Sequence, residues 1–139
     1  MRIVLVEPLK KLLINGKAVS GEFVKERLFG GFCNCGGVML QKLWINSEDE
    51  AILIAECEKC WKNQAKIFNS LSFIGQTDVT VLDKSKFKQF LNKVLSGSEY
   101  EALVNKALGQ DYQPSALSRA KKKLAEMNLE IDDVLDILK

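Results

Sequence analysis

Four cysteines in two tight pairs constrain this chain more than any other feature: Cys33-x-Cys35, 21 intervening residues, then Cys57-x2-Cys60. Each pair supplies two ligands from one turn, and a hairpin between the pairs folds one turn over the other, as a tetrahedral thiolate site requires. Gly30-Gly31 and Gly36-Gly37 bracket the first pair. Glycines there tolerate unusual dihedrals and let backbone amides turn toward the sulfurs. The chain has no histidine, so histidine catalysis, histidine ligation and any His-containing triad are excluded. Four thiolates close a coordination shell and leave no position for water, so the expected role of the ion is structural. Zn2+ is the expected occupant. Iron in a rubredoxin-like four-cysteine site and redox chemistry at an empty site are the alternatives. Paired structural disulfides are not expected in an intracellular chain, and Trp61-Lys62-Asn63-Gln64 does not start the helix that follows a Cys-x2-Cys redox motif.

At 139 residues and 47% hydrophobic, the chain is long and apolar enough to fold as one domain or two small ones. No stretch approaches the roughly 20 apolar residues of a membrane span, and the apolar run at Met1 to Pro8 is too short for a secretory signal. A cytoplasmic protein without a membrane partner is expected. The formal charge of +2 excludes a uniformly basic nucleic-acid binder but hides a segregated distribution. Residues 84–125 carry nine Lys or Arg against three acids, net +6, while residues 126–139 carry five acids against one Lys, net −4.

Hydrophobic periodicity divides the chain near residue 83. Before it, Arg2 to Val6 and Leu12 to Ile14 read as strands, the second ending at the hairpin dipeptide Asn15-Gly16. Glu22 to Phe29 also reads as a strand. Val38 to Asn46 and Ala51 to Glu56 form a hairpin around Ser47 to Glu50, Trp61 to Phe68 follows as a strand, and Ser70 to Leu82 reads as a connector with some extended structure. From Asp83 the period becomes 3.6. Phe87, Phe90, Leu91, Val94 and Leu95 mark a first helix with Gly97 at its C′ position. Ser98 to Glu101 reads as a capping box for a second helix ending at Gly109. Pro114 opens a third, with Leu117, Ala120, Leu124 and Met127 on one stripe, and Ile131, Val134, Leu135 and Leu138 mark an acidic fourth. The expected fold is α+β: an antiparallel β N-terminal half (1–82) holding the cysteine site, then a three- or four-helix unit (83–139).

Residues 33–69 resemble a zinc ribbon, the module of archaeal and eukaryotic transcription factors, polymerase subunits and some ribosomal proteins. Cys57-Glu58-Lys59-Cys60, Trp61 and the strand to Phe68 are similar to that family's second knuckle and closing strand; Cys33-x-Cys35 is one residue shorter than its first knuckle. The resemblance implies a Zn2+-folded module within nucleic-acid-processing assemblies rather than an activity. The lysine-rich, histidine-free composition suits a thermophilic archaeal protein.

The second and third helices, joined through Gly109 to Gln113, resemble a helix-turn-helix. The third helix would present Ser115, Ser118, Arg119, Lys121 and Lys122 to phosphates and base edges. A solvated face of a helical bundle accounts equally for these lysines. Trp44 and Trp61 are expected to cover the small ribbon core rather than stack on bases, and Glu48-Asp49-Glu50 to be a solvated hairpin tip. Without histidine, a Gly-rich phosphate loop or paired catalytic carboxylates, no enzyme is expected. The expected function is that of a non-enzymatic, zinc-binding, nucleic-acid-associated protein of transcription type, DNA being favoured over RNA. The alternative is an adaptor subunit that docks its ribbon and acidic last helix onto a larger transcription, replication or translation assembly.

Overall fold

A computed structural model describes residues 2–70 and 72–139. The β half contains β1 (Ile3–Val6), a 3-10 turn (Glu7–Leu9), β2 (Lys11–Ile14), β3 (Lys17–Ser20), β4 (Glu22–Phe23) and β5 (Phe29–Phe32). Next come β6 (Val38–Asn46), β7 (Glu50–Cys57), β8 (Asn63–Asn69), β9 (Phe73–Asp78) and β10 (Thr80–Leu82). The helices are α1 (Lys84–Val94), α2 (Gly97–Ala107), α3 (Pro114–Glu126) and α4 (Ile131–Leu138). The architecture is therefore α+β, with antiparallel-rich sheets followed by four helices. No helix among the described residues is long and apolar enough to cross a membrane.

The strands form two sheets. One is four-stranded in the order β10-β1-β2-β3, and the other runs β4-β6-β7-β8-β9 with β5 also paired to β6. Among the described residues all pairings are antiparallel except β1 with β10. The smaller sheet is the middle layer of the molecule, which explains why all four residues of β1 are buried. Side chains alternate across a strand. Ile3 and Leu5 enter the core between the sheets with Leu12, Leu43, Ile52 and Ile54. Val4 and Val6 enter a second core with Leu13, Ala18, Phe87, Leu91, Leu103 and Leu124. A strand covered on both faces reads as a continuous apolar run rather than an alternating one.

Several short elements differ from expectation. The segment 22–29 is extended only at Glu22–Phe23, and the chain re-enters the sheet at Phe29–Phe32. Gly21 carries the crossing between the two sheets: a Cβ there would lie 2.5 Å from Leu43 Cδ1 and 2.6 Å from the Trp44 carbonyl oxygen. The connector 70–82 contains β9 and β10, and β10 is recruited by parallel pairing with β1. The ribbon-like strands β6, β7 and β8 do not stand alone but form the centre of the larger sheet.

In the helical half, the chain reverses between α1 and α2 through Leu95 and Ser96. Gly97 is thus the first residue of α2, not the C′ residue of α1, and the capping box is Ser96 with Glu99 rather than Ser98 with Glu101. The Glu99 amide donates to Ser96 Oγ at 3.3 Å, and the Ser96 amide donates to Glu99 Oε1 at 2.8 Å. Both serines have a glutamate three residues on. Glu99 is the one that can be buried against cations of α3. All four expected inward positions of α4 pack on the helix-side core, with Val134 and Leu138 fully inside and Ile131 and Leu135 half-buried. The Ala18 amide donates to the Met127 carbonyl at 2.8 Å, so the end of α3 covers the free edge of β3.

Candidate metal centre and the cationic helix

The first cysteine pair lies in the turn between β5 and β6, and the second runs from Cys57, the last residue of β7, into the turn before β8. Because β6 and β7 pair from Met39↔Cys57 to Asn46↔Ala51, both turns emerge at the same end of the sheet. The four sulfurs lie within 4.8 Å of one another, with Cys33 Sγ 3.6 Å from Cys60 Sγ and Cys35 Sγ 3.4 Å from Cys57 Sγ. A tetrahedron of metal–sulfur bonds near 2.3 Å places sulfurs about 3.8 Å apart, so small adjustments admit one ion. Cys33 and Cys57 are buried on Met39 and Ala55, while Cys35 and Cys60 face solvent.

The backbone is shaped for thiolates. The Lys59 and Cys60 amides donate to Cys57 Sγ at 3.3 and 3.4 Å. The Cys33 amide donates to the Gly37 carbonyl at 2.9 Å, closing the first turn. At Gly37 a Cβ would sit 2.6 Å from Cys57 Sγ and 3.3 Å from Cys35 Sγ, so only glycine lets the two turns approach. The Cys60 amide, then the Lys59 amide and the neighbouring thiols, outweigh burial and hold the Cys57 thiol down at about 6. At Cys35 the Gly37 amide lowers the pKa, but Cys57, burial, Cys60 and Cys33 together push it up to about 12. One sulfur of the cluster ionises readily and another resists strongly. A cation bound among them removes that resistance by compensating the added negative charge. The donor set therefore fits a metal ion, and a soft, four-sulfur set fits zinc or iron rather than a hard cation.

Trp61 follows Cys60 directly, outside β8, with φ of 66° and 71% exposure, and so does not cover the core as expected. Trp44 is half-buried on the outer face of the six-stranded sheet, where its Nε1 donates to Gln41 Oε1 at 2.9 Å. Glu48, Asp49 and Glu50 occupy an exposed hairpin tip.

On α3, Ser115, Ser118, Arg119, Lys121 and Lys122 are all exposed. Their environments differ. Arg119 Nε lies 3.5 Å from Glu99 Oε2, and Lys123 Nζ lies 2.7 Å from Glu99 Oε1. Lys121 and Lys122 have no ion-pair partner among the described residues. The carboxylate that partly neutralises this helix therefore comes from α2, not from acidic α4. The α2–α3 link spans 108–113, longer than the three or four residues of a helix-turn-helix. Sequence reasoning missed Glu99, although its spacing from Ser96 and its place opposite a basic helix were the available signals.

Glu99 is 2% exposed. The hydrogen bond from Lys123, then the Ser96 amide, hold its carboxyl down at about 2 against an ordinary 4.5. A carboxylate depressed in the folded state stabilises fully above its unfolded pKa. That contribution is lost as pH falls from about 4.5 through about 2. Glu99→Ala is expected to cost about 1–2 kcal/mol at neutral pH through the lost cap. It should also flatten the acid limb of stability, as read from denaturant midpoints between pH 6 and pH 3. An unchanged acid limb would remove Glu99 from that role.

A two-sheet β unit with a four-thiol centre at one end, covered on its opposite sheet by four helices, defines the class of protein. The chain belongs to the AF0631-like family: residues 2–81 match its N-terminal beta-barrel domain and residues 84–137 its C-terminal four-helix domain. An uncharacterized protein of Archaeoglobus fulgidus is 54% identical over 134 residues, covering 96% of this chain and 97% of that one. No solved structure matches the chain.

Proposed function

We propose that this is a non-enzymatic, nucleic-acid-associated protein in which Cys33, Cys35, Cys57 and Cys60 hold one structural Zn2+ and α3 supplies contacts to phosphates. The observation that carries the reading is the pairing pattern on α3. Glu99 engages Arg119 and Lys123, whereas Lys121 and Lys122 stay exposed without carboxylate partners among the described residues. Unpaired cations on a rigid helix attract a polyanion and release its counterions. Ser115 and Ser118 add small hydroxyl donors on the same helix. With a long α2–α3 link, the mode is phosphate contact with limited base reading rather than insertion of a recognition helix. A reducing cytoplasm, where the thiols remain available to metal, is the compartment this chemistry fits. The adaptor reading would be favoured by an exposed apolar stripe on the last helix or by a stable complex with a partner; on α4, Val134, Ile137 and Leu138 are buried in the helix-side core, which leaves the complex as its test.

Lys121→Ala with Lys122→Ala is the test, because neither lysine has an ion-pair partner to lose among the described residues. Binding to labelled nucleic acid should weaken, and its logarithmic salt slope should shrink by roughly one to two. Unchanged affinity and slope would move the contact elsewhere.

A further inference from the structure

The macrodipole of a helix is positive at its start, so acids stabilise the first turn and cations the last. Helix α4 follows that rule with Asp132 and Asp133 in its first turn, and α2 follows it with Glu99. Helix α1 does the opposite. Its first turn has no acid and carries Lys84 and Lys86 at the first and third helical positions. Lys86 stands in α1 where Glu99 stands in α2. A glutamate there would close a capping box with Asp83, whose side chain accepts from the Lys86 amide at 2.8 Å. Over its whole length α1 has four lysines and no acid, and Lys84 and Lys88 repel each other across one turn.

That charge is not neutralised within the molecule. None of Lys84, Lys86, Lys88 and Lys93 forms an ion pair among the described residues. Lys84 Nζ donates to the Lys139 carbonyl at 3.4 Å. Phe87, Leu91 and Leu95 enter the core shared with the small sheet. The outward side carries Ser85, Lys86, Gln89, Asn92 and Lys93, all exposed. These residues recur at helical spacing, so they share one face. Lys86 and Lys93 stand about 10.5 Å apart along the axis, with neutral hydrogen-bonding side chains between them.

The chemistry of this face selects phosphates. Cations with neutral donors between them, and no carboxylate on the helix to repel an anion, are the side chains that contact a nucleic-acid backbone. A lipid surface fits poorly, because an interfacial helix needs its apolar side free, and Phe87, Leu91 and Leu95 are enclosed. The first-turn amides are not part of the site, since Asp83 occupies that of Lys86. We infer that the outward face of α1 is a second phosphate-contact surface, where Lys86 and Lys93 meet backbone phosphates and Ser85, Gln89 and Asn92 donate between them. The inference rests on the nucleic-acid reading above and extends its site from one helix to two. Lys86 is kept against the macrodipole because it serves binding rather than folding.

The test is a salt titration of the metal-loaded chain against a labelled DNA duplex, a labelled RNA strand and phosphatidylserine vesicles. Lys86→Gln with Lys93→Gln should lower nucleic-acid affinity and reduce the logarithmic salt slope by roughly one to two, adding to the reduction from Lys121→Ala with Lys122→Ala. Lys86→Glu separates binding from folding: the melting temperature should rise, because an acid suits the helix start, while affinity falls. Unchanged affinity and slope in the Gln variant, with both lowered by the α3 changes, would overturn the α1 surface and leave the nucleic-acid reading intact. A lower melting temperature for Lys86→Glu would show that the lysine serves the fold and contradict its assignment to binding. No nucleic-acid binding by the wild type would overturn both readings. Vesicle binding that exceeds nucleic-acid binding and disappears in the Gln variant would assign the face to a lipid surface and end the phosphate-backbone assignment.

Discussion

Cys57→Ser is expected to release the metal and lower stability by ~3 kcal/mol or more. A structural zinc contributes an apparent 10–16 kcal/mol in isolated finger peptides. Here the inter-sheet core of Ile3, Leu5, Leu12, Leu43 and Ile54 is independent of the site and retains part of the fold. The loss should concentrate at the thiol end of the sheet. Cys57 is the most enclosed ligand, fully buried on Met39 and Ala55 and accepting two backbone amides. A serine oxygen there is a poorer donor for a soft site and would leave only three thiols to complete the shell. Thermal melting of wild type, Cys57→Ser and chelated wild type should show the two treatments converging. A Cys57→Ser chain with full metal content and an unshifted transition would contradict a structural role.

The second large effect is expected at Phe87, which is fully buried in α1. Phe87→Ala should cost about 3–5 kcal/mol through lost burial and the cavity left behind. The informative readout is tryptophan fluorescence, because Trp44 and Trp61 both lie in the β half. The core around Phe87 contains Val4, Val6, Leu13 and Ala18 of the middle sheet, so unfolding of the helices uncovers that sheet. One transition, shifted equally by tryptophan emission and by far-ultraviolet dichroism, is the expected result. Two transitions, with only the helical one displaced, would mean that the two family domains unfold independently.

These effects follow from a packing arrangement only partly legible in the sequence. The helices were readable because Phe87, Leu91 and Leu95, or Ala120 and Leu124, repeat at the period of one buried face. The hairpin from Val38 to Glu56 was readable because its strands are long and its tip is charged. The cysteine spacing pointed to one cluster because the connecting segment has the length of a hairpin. What escaped were features set by partners distant in the chain. Thr80 to Leu82 is a strand only because β1, some 75 residues earlier, offers a free edge. The choice of Ser96 over Ser98 as the cap depends on where Lys123 and Arg119 arrive. The side taken by Phe68 was hidden because Ile67 and Phe68 are adjacent apolar residues, and only the register assigns one to the inter-sheet core and the other to the outer face of the sheet. Trp61 misled because its backbone takes the left-handed turn that ends the second cysteine pair rather than entering the strand.

The most direct measurement is elemental analysis of the purified chain together with thiol titration before and after chelation. One zinc per chain and four thiols that become reactive only when the metal is removed are the predicted result. A metal-free chain with four freely reactive thiols and an unchanged melting transition would contradict the metal-folded centre from which the functional reading starts.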